Sequence, residues 1–500
     1  MAPLRERSFM LIASVLVYLI VFVAIGLWAA TRVHRAKDYV VAGRALPLYV
    51  VTATVFATWF GSETVLGISA RFVNDGLRGI VEDPFGSSMC LVLVGVFFAA
   101  KLYRMDLLTI GDFYRNRYNR GVELGASAAI IASYLGWVSA QIVALGLVFS
   151  LLGGGAMTPA QGMLLGASIV LLYTFFGGMF SVAWTDFVQM TLIVCGLIYL
   201  VWVIGGEAGG AGAVVAHAAR AGKFDFWPAP EPKDVLAFVA AWVTMMFGSI
   251  PQQDVFQRVT SARTVRIAVA GTVLGAILYF LFAFAPLFLA YSASLIDPEM
   301  VARLIEKDPQ HILPTLVMTR TPLAAQIVFF GALLAAIMST ASGTLLAPSV
   351  TFTENILKGL LRRELSDRQF LWTLRGVVAC FTVIVTAFAL GSNSSIYEMV
   401  GNAYKVTLVA AFVPLTAGLY WSRATTQGAL VSMFLGVAVW LTLEIFPIGG
   451  IWPPQLAGLL AALGGMVAGS LLPQRVGRRD LPEPHLRHHL HPARQHVPRA

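Results

Sequence analysis

The sequence contains thirteen apolar runs, each about as long as a helix needs to be to cross a bilayer. Only 12% of its residues are charged, whereas a soluble domain carries about 25%. The sequence therefore predicts an all-α integral membrane protein with about thirteen transmembrane helices, at roughly 8–30, 47–70, 84–101, 123–150, 160–177, 186–205, 233–254, 266–291, 323–354, 370–390, 396–421, 427–446 and 454–472.

The positive charges are concentrated on one side of these predicted spans. Most of the 35 Lys and Arg residues fall on that side. Cytoplasmic loops carry such an excess, so we expect the N-terminus outside and the C-terminus in the cytoplasm. The membrane expected by default is a bacterial plasma membrane. The basic segments of the cytoplasmic side are the loops around 31–46, 101–122, 255–265, 355–369 and 422–426, and the tail after 472.

Two predicted spans are interrupted by polar residues, Gly or Pro in mid-membrane. The second reads Ala57-Thr-Trp-Phe-Gly-Ser-Glu-Thr64, and the seventh reads Phe247-Gly-Ser-Ile-Pro-Gln-Gln-Asp254. Such breaks free backbone carbonyls, which is tolerated only where they line a cavity. Breaks at corresponding positions of two halves indicate an inverted-repeat transporter.

The spacing of the breaks divides the chain into two repeats with extra segments around them. The predicted repeats are 47–205 and 233–421, joined by an extracellular loop. Each repeat contributes five helices, so the predicted architecture is a 5+5 inverted-repeat bundle. Outside the repeats we expect an N-terminal helix and loop at 1–46, the extracellular loop at 206–232, two peripheral helices at 422–472 and a disordered basic tail at 473–500.

The apolar stretch Ala332–Ala347 is dense in small hydroxyl residues. On a helix, Ala336, Ser339 and Thr340 share one face because they are spaced i, i+3 and i+4. Two hydroxyls and a carbonyl on that face can ligate a small hard cation, which prefers oxygen donors. Close packing between membrane helices uses the same small residues, so it is the alternative interpretation.

Substrate-binding candidates follow from the two breaks, since transporter sites lie beside discontinuous helices. Trp137 and Gln141 lie well inside the fourth span and are candidates as well. A Trp in a membrane protein also serves as packing or as part of an interface belt. The candidates from the breaks are Trp59, Gly61, Ser62, Glu63, Ser249, Gln252 and Gln253.

Glu63 and Lys405 are charged residues within predicted spans. A charge at mid-bilayer costs at least about 2.5 kcal/mol, so it needs a partner or a function. We hypothesise that the two residues pair, which would make the pocket roughly neutral and suit a zwitterion. If Glu63 faces the pocket alone, it favours a cationic substrate. Alternatively, Lys405 snorkels to an interface and has no part in binding.

Four segments together resemble the sodium:solute symporter family, and they occur in the order typical of that family. They are Asp38-Tyr-Val-Val-Ala-Gly-Arg44, Gly177-Gly-Met-Phe-Ser-Val-Ala-Trp-Thr-Asp-Phe-Val-Gln189, Phe256-Gln-Arg258, and Ala336-Ile-Met-Ser-Thr340 with Glu354-Asn-Ile-Leu-Lys358. The resemblance implies a LeuT-type fold and a bound sodium ion. It would place the sodium ligands on the carbonyls of Ala57, Phe60 and Ala336 and on the hydroxyls of Ser339 and Thr340.

A second sodium ion is a further implication of the resemblance. Some relatives bind it through an acid in the Thr-Asp-x-x-Gln motif and through extra serines. Asp186 and Ser342 match this pattern, but Gly343 stands where another serine would help. Asp186 has an alternative role as a cap or ion-pair partner at a helix end.

The local sequence is most similar to the choline- and proline-transporting branches of the family. Trp59 and Trp137 match positions where the choline branch places aromatic rings around a quaternary ammonium, a cation–π arrangement. Ser87 and Gln252 stand where that branch has further aromatics. A zwitterion such as an amino acid fits the remaining groups equally well.

The predicted function is sodium-coupled secondary active import of a small organic solute by alternating access. The alternatives are a membrane solute sensor that works with a separate signalling partner, and a transporter driven by protons. Enzyme activity is not expected, because the sequence shows no nucleophile–base set or metal cluster at membrane depth. The net charge of +9 is explained by loop placement rather than by nucleic-acid binding, and the oligomeric state is left open.

Overall fold

The structure is a computed structural model that describes residues 2–33, 35–154, 156–361, 365–446 and 450–476. The predicted tail at 473–500 lies almost entirely outside these residues. Shorter helices occupy Ala36–Val41, Ile110–Arg117, Ala211–Arg220, Pro298–Ile305 and Ile312–Arg320. The main helices are α1 (Ala2–Ala30), α2 (Leu48–Trp59), α3 (Ile68–Asp75), α4 (Leu77–Arg104), α5 (Arg120–Leu152), α6 (Pro159–Glu207), α7 (Pro232–Gly248), α8 (Gln253–Ser261), α9 (Val265–Ile296), α10 (Leu323–Leu361), α11 (Asp367–Gly391), α12 (Ile396–Tyr420), α13 (Thr426–Ile445) and α14 (Pro454–Leu471).

Ten helices among the described residues are long and apolar enough to cross a membrane, or eleven when α7 and α8 count as one bent span. Shorter apolar helices, α2 and Pro159–Leu172, cover two more of the thirteen predicted spans. The helix number is therefore roughly the expected one. The all-α prediction also holds, since the described residues form helices and an isolated bridge between Leu46 and Ala262.

One boundary differs from the prediction. The spans expected at 160–177 and 186–205 are joined in α6 with only a sharp break at Gly178, whose backbone has φ 52° and ψ −148°. A glycine reaches this conformation without the steric cost of a side chain, so the helix is kinked there without an intervening loop. The residues after the break continue directly into the second half of α6.

Both breaks predicted from the sequence are present. The chain leaves α2 at Phe60, with φ −88° and ψ 68°, and enters a π-helical turn at Glu63–Gly67 that leads into α3. Between α7 and α8 the helix axis bends by 46°. Helix α8 packs against α2 and α10, so the two breaks lie beside the same hydroxyl-rich helix.

Burial separates the central helices from the peripheral ones. In α5 and α10, 72% of the most apolar window is buried within the protein, compared with 28% in α1 and 22% in α13. A helix that is apolar all round and also buried belongs to the centre of a bundle. The low burial of α1 and α13 places these two helices at the edge of the bundle.

We expect Gly178→Ala to destabilise the protein. An added Cβ would lie 2.6 Å from the carbonyl oxygen and ring of Tyr39, at a φ of +52° that alanine rarely adopts. Such backbone strain costs about 1–3 kcal/mol, so the purified variant should melt several degrees below the wild type. The matched control is Gly376→Ala, because Gly376 lies in α11 with no neighbouring atom within 4 Å of an added Cβ. Equal melting temperatures for the two variants would contradict this account.

Candidate functional site

The hydroxyl of Thr340 lies against the broken end of α2. Thr340 Oγ1 donates to the carbonyl of Thr58 at 2.8 Å and lies 3.4 Å from the carbonyl oxygen of Ala57. Gly61 permits this approach, since a Cβ there would lie only 2.7 Å from Thr340 Oγ1. The structure thus brings together Ala57 and Thr340, two of the predicted sodium ligands, at the point where α2 ends.

The other residues of the predicted sodium set lie around the same contact. Among the described residues, no backbone N–H is bonded to the carbonyl of Ala57 or Phe60. Ala336 lies one turn before Thr340 on α10, and its carbonyl is directed along the helix toward the Ser339 and Thr340 side chains. All five predicted ligand atoms are oxygens, which fits a hard monovalent cation.

Asp186 lies inside the bundle beside these hydroxyls. Its carboxylate accepts a hydrogen bond from Ser339 Oγ at 2.6 Å and a short one from Thr54 Oγ1. The side chain is fully buried within α6, away from either end of that helix. Ser339 and Thr340 each donate their hydroxyl proton elsewhere, so their oxygen lone pairs are available to a cation.

Glu63 is held by two of the predicted substrate residues. Trp137 Nε1 donates to Glu63 Oε1 at 3.0 Å, and Gln141 Nε2 donates to Glu63 Oε2 at 2.7 Å. Gln141 also accepts a hydrogen bond from the backbone N–H of Ser62 at 3.0 Å. These bonds attach the unwound segment after α2 to the middle of α5.

An aromatic cluster lies next to Glu63. The ring centroids of Trp59 and Trp137 are 5.8 Å apart, and Tyr404 lies 5.4 Å from Trp137 and 6.2 Å from Trp59. All three rings are buried. Sequence analysis missed Tyr404, because an aromatic residue in an apolar span has no local mark of function, whereas its neighbour Lys405 carries the only positive charge of that span. We call Trp59, Trp137 and Tyr404 the aromatic cluster.

The polar residues of the second break, between α7 and α8, lie in different surroundings. Gln252 donates to Ser133 Oγ at 2.9 Å and lies 3.3 Å from Thr407 Oγ1, one turn from Trp137 and Tyr404 respectively. Ser249 is buried, and its hydroxyl has no hydrogen-bond partner among the described residues. Gln253 points elsewhere, accepting from the backbone N–H of Ile110 at 2.8 Å. Gln252 therefore lies near the aromatic cluster, whereas Gln253 links α8 to a short helix.

The hypothesised pair between Glu63 and Lys405 is wrong. Lys405 Nζ lies 3.5 Å from Glu444 Oε1 on the peripheral helix α13, while Glu63 is bonded to Trp137 and Gln141. On α12, residues 404 and 405 point about 100° apart because they are consecutive in a helix. Tyr404 consequently faces Trp59 and Trp137, and Lys405 faces α13.

Further carboxylates lie close to Glu63. A small cavity of about 10 Å³ is bounded by Glu63, Glu82 and Asp83, together with residues of α7 and α12. Asp83 accepts hydrogen bonds from Ser87 Oγ at 2.5 Å and from Tyr279. Sequence analysis did not connect Glu82 and Asp83 with Glu63, because α3 separates the two segments along the chain.

The bundle with two broken helices beside a hydroxyl-rich helix defines a secondary active transporter. The sodium:solute symporter family profile matches residues 39–436. This chain belongs to the sodium:solute symporter family, which confirms the resemblance seen in its motifs. It is accordingly a multi-pass membrane transporter of the symporter class, coupling sodium to the movement of a small organic solute.

Curated relatives and a solved structure are similar over most of the chain. The human high affinity choline transporter 1 is 28% identical over 86% of this chain and 76% of its own length. The osmoregulated proline transporter OpuE of Bacillus subtilis is 25% identical over 93% of this chain and 95% of its own. A Na⁺-coupled sialic acid symporter structure superposes with a TM-score of 0.80 at 19% identity, covering 92% of this chain and 97% of the other. This similarity confirms the predicted LeuT-type fold.

We expect sodium to stabilise the purified protein against heat more than potassium does, and Ser339→Ala and Thr340→Val to lose that difference. Each variant removes one hydroxyl beside the end of α2. A tenfold loss of sodium affinity corresponds to about 1.4 kcal/mol, which a melting curve resolves. The control is Ser349→Ala on the same helix, whose hydroxyl donates only to the carbonyl of Leu345. A sodium-specific shift that survives in both variants would exclude this site.

Proposed function

We propose that this protein imports a small organic cation together with sodium, across a plasma membrane with its N-terminus outside. The observation that carries the proposal is Glu63, a buried carboxylate held against the aromatic cluster without a cationic partner. The sodium site proposed is formed by Ala57, Phe60, Ala336, Ser339 and Thr340. The proposed solute site includes Trp59, Glu63, Trp137, Gln141 and the neighbouring Tyr404.

The charge balance around Glu63 favours a cation. Within the described chain, no ion pair involves Glu63, Glu82 or Asp83. Arg71 and Lys405 act electrostatically on Glu82, but each is already paired, Arg71 with Asp75 at 2.9 Å and Lys405 with Glu444 at 3.5 Å. Removing a carboxylate from water is costly unless a partner compensates it. A positively charged solute supplies that compensation.

The aromatic cluster favours the same class of solute. Tryptophan and tyrosine faces attract cations, and the attraction grows when water is excluded. The three rings of the cluster are in mutual contact and buried, so a solute enters between them only after they separate. Choline, the substrate named for the human relative, is a small organic cation of this kind. Ser87 and Gln252 replace ring positions of the choline branch with polar groups, which suits a cation that can also donate hydrogen bonds.

The unwound segment after α2 connects the two proposed sites. Ala57 and Phe60 belong to the sodium site, while Trp59 and Glu63 belong to the solute site. These residues lie within seven consecutive positions that include the last turn of α2, the break after it and the first residue of the π-helical turn. Sodium bound to the Ala57 and Phe60 carbonyls would hold this segment against α10, and thereby position Trp59 and Glu63 for the solute. Coupling then follows from shared backbone rather than from direct contact between ion and solute.

Sodium entry supplies enough energy for accumulation. One elementary charge crossing 100 mV, inside negative, releases about 2.3 kcal/mol before the concentration difference is counted. A cationic solute is itself drawn inward by the same voltage. Opening and closing around a central site by movement of the bundle accounts for transport without a continuous pore.

The cationic solute class is tested by thermal stabilisation with a panel containing choline, betaine, proline and small primary amines, each in sodium and in potassium. We expect cations to stabilise the wild type in sodium, and Glu63→Gln to weaken their binding at least tenfold, because the carboxylate charge is lost. Glu444→Gln is the matched control, since it removes a carboxylate from the Lys405 pair at the edge of the bundle. Stabilisation by proline but not by cations would overturn the cationic class and leave sodium coupling intact.

Coupling is tested by uptake into proteoliposomes of whichever solute stabilises the protein. We expect uptake to require an inward sodium gradient and to increase with an inside-negative potential. A proton gradient imposed without sodium should give no accumulation. Uptake driven by protons alone would contradict sodium coupling and support the proton-driven alternative.

A further inference from the structure

The residues suggested for a second sodium ion form an incomplete set of ligands in this structure. Asp186 accepts from Ser339 and Thr54. Ser342 turns back onto its own helix, donating to the Ser339 carbonyl at 3.0 Å. Gly343 has no side chain to offer an oxygen. Of the three positions, therefore, Asp186 and Ser342 carry side-chain oxygens, and the third has none.

A buried arginine occupies the space beside Gly343. Arg258 of α8 is only 1% exposed, although it carries a permanent charge. Its Nε donates to Thr58 Oγ1 at 2.7 Å and to the Thr54 carbonyl at 3.3 Å, and its Nη1 donates to the Asp254 carbonyl at 2.9 Å. The guanidinium is thus anchored to the α2 helix just before its break.

The third nitrogen of this guanidinium, Nη2, points toward α10. A Cβ built on Gly343 would lie 2.3 Å from Arg258 Nη2, so a side chain at position 343 requires the guanidinium to move. Among the described residues, Nη2 has no hydrogen-bond partner although it is buried. A serine at position 343 and the guanidinium therefore exclude each other in this arrangement.

Arg258 also supplies the positive charge nearest to Asp186. The guanidinium acts electrostatically on that carboxylate, and Thr54 connects the two, donating from its side chain to Asp186 and accepting from Arg258 at its carbonyl. No ion pair joins Arg258 and Asp186 within the described residues, so the guanidinium nitrogens lie more than 4 Å from the carboxylate oxygens. The carboxylate is therefore compensated by a cation that belongs to the protein.

We propose that the Arg258 guanidinium takes the place of a second sodium ion, so that this transporter binds one sodium ion per transport cycle. The inference rests on the proposed sodium coupling and adds the number of ions. A covalently attached cation cannot be carried across the membrane. With one sodium per solute, the limiting accumulation ratio follows the first power of the sodium gradient, whereas two ions would square it.

The experiment counts radioactive sodium bound at saturation to the purified full-length protein in lipid nanodiscs. Sodium alone is the probe, so no solute has to be known. We expect one ion per protein in the wild type, none at the same concentrations in Thr340→Val, and one in Ser342→Ala. Two ions in the wild type, with one lost in Ser342→Ala, would overturn the inference while leaving sodium coupling supported. No bound sodium in the wild type would overturn the proposed sodium coupling, and the inference with it.

A double variant tests the exclusion between Arg258 and residue 343. Arg258→Gln combined with Gly343→Ser removes the guanidinium and adds a hydroxyl beside Asp186, so the count should rise from one to two. The single variant Gly343→Ser, in which Arg258 is retained, should stay at one. If the double variant does not fold, the wild-type count still decides the question. A second ion in Gly343→Ser alone would show that Arg258 does not block the position.

Discussion

The break in α2 is the constraint on which the candidate site depends. A helix interrupted inside a membrane protein exposes carbonyls that need other partners. Here the Thr58 carbonyl is satisfied by Thr340 Oγ1, while those of Ala57 and Phe60 have no backbone donor within the described chain. The Ala57 and Phe60 carbonyl oxygens are among the ligands proposed for the sodium ion.

Three buried charges are arranged around this break. Glu63 follows it, Asp186 faces it from α6, and Arg258 reaches it from α8. Each charge is held by hydrogen bonds from neighbouring helices, which offsets part of the cost of burial. The acidic residues differ in one respect: the Arg258 guanidinium acts on Asp186, whereas Glu63 has no ion-pair partner among the described residues. That difference is why Glu63 is the carboxylate proposed to bind the solute.

The site was predictable where local sequence carries the chemistry. Hydroxyls at i+3 and i+4 from Ala336 on an apolar helix identify the face of α10, and the polar segment containing Gly61 identifies the break. Trp137 and Gln141 were found because polar and aromatic residues inside a long span are unusual. Tyr404 was not found, since an aromatic residue in an apolar helix has no local mark of function. The predicted Glu63–Lys405 pair was wrong. Opposite charges attract each other, but they do not determine which face of a helix is turned toward which neighbouring helix.

The sequence by itself determined the membrane class, the approximate number of spans, the positions of both breaks and the family. These properties depend on hydrophobicity, run length and short motifs, all of which are local. Only the tertiary structure decided which charges meet: Glu63 with Trp137 and Gln141, Lys405 with Glu444, and Arg258 against Gly343. The physical reason is that electrostatic partners on separate helices are set by helix rotation and packing, to which residues far apart in the chain contribute together.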